Sequence, residues 1–183
     1  VRVWDLLRGK QVHILKGHAV TIQDLAITSD GKLAVSASSD STLKVWDLEK
    51  GIELKTLAEH NVFVAAVAIT PNGRHAISVS GDTTLKVWNL SNLSDSDSSV
   101  VEAHNESVAA ITISFDNEFV ISASLDEVLT IWHLNTATKI VSYQLPHSGV
   151  PIEWQMTKVF GWRKPIFAPY TLCGITSVTM TSN

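Results

Sequence analysis

The chain has 183 residues and a single cysteine, Cys173. One cysteine excludes an intrachain disulfide framework and makes a reduced, cytoplasmic setting the expectation. No apolar run approaches the ~20 residues needed to cross a bilayer. No charged segment followed by an apolar one opens the chain, so neither a membrane partner nor a signal peptide is expected. Charge is sparse as well: 17 % of residues are charged, the formal net charge is −4 and the pI is near 5.9. That leaves no overall basic footprint, and no nucleic-acid partner is expected. The motifs of common catalytic and metal sites are missing too. There is no G-x-x-x-x-G-K-[ST] phosphate loop, no H-E-x-x-H, no G-x-S-x-G elbow and no cysteine pair for zinc. The expectation is therefore no cofactor and no metal. A metal site shared by His18, His60 and His104 is disfavoured because the three belong to separate repeats. Length and a hydrophobic share of 45 % nevertheless indicate a folded chain, not a disordered one.

What the chain does have is a repeat. The stretch from His18 to Asp47 (HAVTIQDLAITSDGKLAVSASSDSTLKVWD) recurs from His60 and again from His104. Trp4, Trp46, Trp88 and Trp132 fall 42 to 44 residues apart. A period of about 40–45 residues ending in Trp-Asp is that of a four-stranded propeller blade. Trp4-Asp5 and Trp46-Asp47 keep the pair, whereas Trp88-Asn89 and Trp132-His133 vary the acid.

Each unit reads as four short, β-branched-rich runs separated by turn residues. They are 22–28, 33–38, 42–48 and 52–57 in the first unit. The second has 64–70, 75–80, 84–90 and about 99–103; the third has 108–114, 119–124, 128–134 and 139–145. Ser29-Asp30-Gly31 and Pro71-Asn72-Gly73 mark tight turns, since Gly tolerates positive φ. Asp116-Asn117 serves the third unit less ideally. The first runs are rich in Ala, as crowding around a central axis requires. Helix is the alternative for such runs, but they are short and flanked by turns.

The expected organisation is all-β: a partial β-propeller of four-stranded antiparallel blades. Residues 1–16 end an incomplete blade, because VRVWDL repeats LKVWDL and the chain opens on Val1, mid-repeat. Blades 1, 2 and 3 cover 17–58, 59–103 and 104–146. Residues 147–183 form a degenerate or truncated fourth repeat: His147 is in register, but Pro165 and Pro169 fall where Ser and Asp belong. A Ser/Asp-rich loop, 91–99, accounts for the longer second unit and is expected to be solvated.

These residues and their spacing resemble the WD-repeat β-propeller family, with long bacterial arrays one source of such near-identical units. The resemblance implies a role for four residues per unit: His18, Ser36, Asp40, Trp46; His60, Ser78, Asp82, Trp88; and His104, Ser122, Asp126, Trp132. In that family they form a buried hydrogen-bond chain from Trp to Ser to His to Asp. Taken alone, a recurring Ser, His and Asp also suit a serine hydrolase. The threefold occurrence and the donor-only indole weigh against it.

The resemblance further implies partner docking on the face formed by the segment after each His and the turn before each Asp. Phe63 and Leu125 are the largest apolar residues there, and Asn61 and Asn105 stand beside them. Asp24 aligns with Ala66 and Ala110 on the innermost strand, either at a wet channel mouth or in a contact. The expected function is a non-catalytic scaffold or sensor module that binds a protein or peptide within a longer signalling protein. An adjacent nucleotide-binding signalling domain is one companion the resemblance suggests. The rivals are the hydrolase and a structural remnant with no partner of its own.

Overall fold

The computed structural model describes residues 1–93 and 98–145. The expected fourth repeat, with His147, and residues 94–97 of the Ser/Asp-rich loop lie outside the described residues. Among the described residues every regular element is a strand, so no helix there is long and apolar enough to cross a membrane.

A two-stranded sheet comes first: β1 (Arg2–Asp5) pairs antiparallel with β2 (Lys10–Ile14). Three four-stranded antiparallel sheets follow in simple order. Blade 1 holds β3 (Ile22–Ile27), β4 (Leu33–Ser38), β5 (Leu43–Asp47) and β6 (Ile52–Leu57). Blade 2 holds β7 (Val64–Ile69), β8 (His75–Ser80), β9 (Thr84–Asn89) and β10 (Ser98–Glu102). Blade 3 holds β11 (Val108–Ile113), β12 (Phe119–Ser124), β13 (Val128–His133) and β14 (Thr138–Gln144). The strands begin or end within a residue or two of the sequence-derived runs. The chain is all-β and forms a partial propeller.

Strand alternation assigns each side chain to one of two neighbouring blades. On β4 and β5, Val35, Ala37, Leu43 and Val45 face blade 2, where they meet Val64, Val67, Ala76 and Trp88 in one core. The same positions one repeat on, Ile77, Val79 and Leu85, meet Val108, Ile111, Val120 and Trp132 of blade 3. Trp88 and Trp132 therefore pack against the preceding blade, and Trp46 accordingly sits with Val1, Val3 and Leu15. The innermost strands run side by side, β3 against β7 and β7 against β11. At that crowded axis Ala65, Ala66, Ala109 and Ala110 leave room for close approach.

The first turns of the blades also touch. Ser29 Oγ donates to the Pro71 carbonyl at 3.0 Å, and the Asn72 N–H donates to Asn117 Oδ1 at 3.1 Å. Asn117 has φ +64°, where blades 1 and 2 place Gly31 and Gly73. Its amide side chain thus gives a cross-blade bond that glycine would lack.

Candidate functional site

The three Ser-His-Asp-Trp sets are closed hydrogen-bond chains. In blade 1 the Trp46 indole N–H donates to Ser36 Oγ at 2.8 Å, Ser36 Oγ lies 2.7 Å from His18 Nε2, and His18 Nδ1 lies 2.9 Å from Asp40 Oδ2. Blade 2 repeats this through Trp88, Ser78, His60 and Asp82 at 2.8, 2.8 and 2.9 Å. Blade 3 uses Trp132, Ser122, His104 and Asp126 at 2.8, 2.8 and 3.3 Å. A carboxylate on Nδ1 fixes the Nδ1–H tautomer, so Nε2 accepts from the serine hydroxyl while that hydroxyl accepts from the indole. Ser36, Ser78 and Ser122 are fully buried. A nucleophile needs an open line to a substrate, and these hydroxyls are enclosed and already committed at both ends.

Each aspartate also gathers the backbone around it. Asp40, Asp82 and Asp126 accept the N–H groups of Ala19, Asn61 and Asn105 at 2.9, 3.0 and 3.1 Å. The other oxygen accepts from Thr42 in blade 1 and Thr84 in blade 2, through both hydroxyl (2.6 Å) and N–H (3.1 Å). Blade 3 has Val128 at this place, which offers only its N–H. Burial pushes the Asp82 carboxyl up, but the donors from Thr84, Asn61 and His60 outweigh it and hold it down at about 2. Asp40 and Asp126 are likewise held low against burial. Burial lowers His60 and His104, which outweighs the pull of their aspartates and favours the neutral imidazoles. Each of these two sets therefore carries one negative charge at neutral pH.

The sequence reading missed several supporting residues. Thr42 and Thr84 stand two places after the aspartate. Ser38, Ser80 and Ser124 stand two places before it and donate to the carbonyls of Thr21, Phe63 and Glu106. Their recurrence at the repeat spacing was the available signal. The Trp-Asp acid has a local role that spacing alone did not suggest. Asp5 and Asp47 accept N–H groups two and three residues on, and Asn89 caps Ser91. His133 instead sets its ring edge-on to Phe119.

Among the described residues, an open cavity lies on the face carrying the loops after each His. A cavity of about 740 Å³ is lined by Gln23, Ser39 and Ser41 of blade 1, Asn61, Val62, Phe63 and Ala65 of blade 2, and Ser107, Ala109 and Leu125 of blade 3. Phe63 is 39 % and Leu125 62 % exposed. Phe63 is positioned by Gly81, where an added Cβ would lie 2.6 Å from its ring. The two large residues alternate with small ones across corresponding loops, Phe63 over Gly81 and Ser107 beside Leu125. Phe63, Leu125 and Asn61 thus line one cavity.

Asn105 and Asp24 are not among the lining residues. Asn105 is exposed on the adjoining loop. Asp24 sits at the seam of blades 1 and 2, where its carboxylate accepts the Leu25 N–H at 2.8 Å and the Val67 N–H at 2.9 Å. Leu25 and Val67 are equivalent positions, each just past a β-bulge of the innermost strand. Burial pushes the Asp24 carboxyl up to about 6 despite these two donors.

Comparison with known proteins places this geometry in context. The model of the NWD2 C-terminal β-propeller family matches residues 12–171. Eukaryotic translation initiation factor 3 subunit I of Culex quinquefasciatus is 39 % identical over 44 residues, covering 24 % of this chain and 13 % of that relative. The protein of the same name from Bombyx mori is 44 % identical over 41 residues, or 22 % and 12 % of the two chains. The matches therefore span about an eighth of the length of these curated relatives.

Proposed function

The chain belongs to the NWD2 C-terminal β-propeller family, and from that premise we propose that it is a non-catalytic docking module that binds a protein or peptide on its open rim. Propellers of the WD type are typically interaction scaffolds and generally lack catalytic activity. The observation that carries the reading is the contrast between two sets of residues. The side chains with catalytic chemistry are sealed inside the blades, while large apolar side chains from blades 2 and 3 face an open cavity. A few well-placed side chains, aromatic anchors above all, contribute most of the energy of docking. The setting this fits is a cytoplasmic signalling protein in which the propeller senses or holds a partner, with a nucleotide-binding domain as a neighbour.

A photoreactive amino acid at position 125 tests the docking surface against one at position 54 on β6. Crosslinks to a partner that form from position 125 and not from 54 support the rim. Equal crosslinking from both overturns it. Fluorophosphonate labelling tests the absence of hydrolase chemistry: Ser36, Ser78 and Ser122 should stay unlabelled in the folded chain.

A further inference from the structure

We infer that the rim cavity selects a basic peptide, one with an apolar anchor residue flanked by lysine or arginine. The inference rests on the docking reading above and adds the chemistry of the partner. The cavity itself is uncharged: its walls are hydroxyl, amide and apolar groups, with Phe63 and Leu125 as the large members. Charge enters next to the walls, and it is of one sign. The six loop segments that build the rim are 18–24, 39–42, 60–65, 81–84, 104–109 and 125–128. They contain Asp24, Asp40, Asp82, Glu106, Asp126 and Glu127, and no lysine or arginine.

Several of these acids are tied directly to lining residues. Asp40 lies between Ser39 and Ser41, Asp126 follows Leu125, and Asp82 holds the backbone N–H of Asn61. Glu106 is exposed immediately before Ser107. His60 and His104 do not cancel the charge of their aspartates, because burial favours the neutral imidazoles while Asp82 and Asp126 stay ionised. The lysines on the third strands are engaged elsewhere: Lys44 pairs with Glu53 at 2.9 Å and Lys86 with Glu59 at 3.6 Å. Lys16, two residues before His18, and Lys139, whose charge acts on His104, supply two positive charges against the five acids other than Glu127, which is itself engaged. An apolar cavity walled by low-dielectric protein and bordered by one sign of charge attracts the opposite sign and repels its own. An acidic or phosphorylated segment would meet like charge at Glu106 and beside Ser39, Asn61 and Leu125.

The test uses the 183-residue chain and three series of fluorescein-labelled twelve-residue peptides, read by fluorescence anisotropy. All share a central Phe or Leu; the flanks are Lys and Arg, Ser and Gly, or Glu and Asp. The basic series should bind at least about tenfold more tightly than the neutral one at low salt, a gap that shrinks at high salt as the rim charges are screened. Phe63→Ala and Leu125→Ser should each weaken the basic series about tenfold or more, the usual size of an anchor loss. Glu106→Lys, an exposed change that leaves the core untouched, should reduce the preference for basic flanks. Tighter or equal binding of neutral or acidic peptides, still dependent on Phe63, would overturn the charge preference and leave the docking surface standing. Binding that ignores both Phe63→Ala and Leu125→Ser, or no binding by any series, would overturn the docking reading with it.

Discussion

Two aspartates, read side by side, show how differently one residue type behaves in this fold. Asp82 accepts from His60, Asn61 and Thr84. Asp82→Ala leaves those donors without an acceptor and should destabilise the chain by about 1–3 kcal/mol. Glu49→Ala, on the exposed turn after β5, should stay within about 0.5 kcal/mol. Urea unfolding of the two variants checks this. Asp24 has the opposite linkage. Its folded pKa, near 6, lies above the ordinary 3.8, so the folded state binds more protons between those values. Stability from this group is therefore present at low pH and falls as pH rises from about 4 to about 6. Asp24→Asn should flatten that limb of a plot of urea midpoint against pH; an unchanged slope would show that Asp24 is not its source. The positions of the Trp-Ser-His-Asp sets could be read from spacing, because each residue recurs in register. The seam contact of Asp24 could not, because its partner is a backbone N–H freed by a bulge, and a bulge leaves no mark in residue identity.

At the scale of elements, turns and strands were legible because their signals are local: alternation for strands, Gly, Asn and Asp for turns. The rim geometry was less so. Ser41, Thr83 and Glu127 occupy equivalent turn positions with φ of +66°, +69° and +62°. Non-glycine residues rarely adopt this region, and a β-branched one such as Thr83 least readily. These turns follow the network aspartates, whose carboxylates accept the backbone N–H of the residue two places on. Nor does the sequence reveal that Phe63 leans on Gly81, since that contact joins the segment before β7 to the turn after β8. Gly81→Ala places a methyl group against the ring. Phe63 is partly exposed and can swing outward, so the change should cost at most about 1–2 kcal/mol, the low end for overpacking. Rim binding should weaken several-fold. Unaltered affinity in Gly81→Ala would mean that the ring's position does not matter to the partner.

For the whole molecule, blades are mutually dependent: among the described residues blades 1 and 2 each bury one face on the preceding sheet and one on the following sheet, as repeat architectures require. The first sheet lacks a predecessor among the described residues, and the effect is visible. Trp46 is 1 % exposed, whereas its equivalent Trp4 is 51 % exposed, and Leu6 is 91 % exposed whereas its equivalents Leu90 and Leu134 are buried. Such a surface favours association. Size-exclusion chromatography with light scattering on the 183-residue chain should show mass rising with concentration above the 20.0 kDa of one copy. A cooperative monomer at all concentrations would show that this surface is covered. The repeat pattern disclosed the blades but not the partner, because the residues proposed to bind do not repeat: Phe63, Leu125 and Glu106 differ from their counterparts in blades 1 to 3.

In the proposed function, the repeated residues hold the blades together and the unrepeated rim residues bind. Measuring thermal unfolding and basic-peptide affinity on the same preparations of Asp82→Ala and of Phe63→Ala/Leu125→Ala separates them most directly. Asp82→Ala should melt early yet bind near-normally below its transition, whereas Phe63→Ala/Leu125→Ala should melt close to the parent chain and lose affinity by about tenfold or more. Early melting with normal affinity in Phe63→Ala/Leu125→Ala would make those residues part of the core and contradict the docking rim.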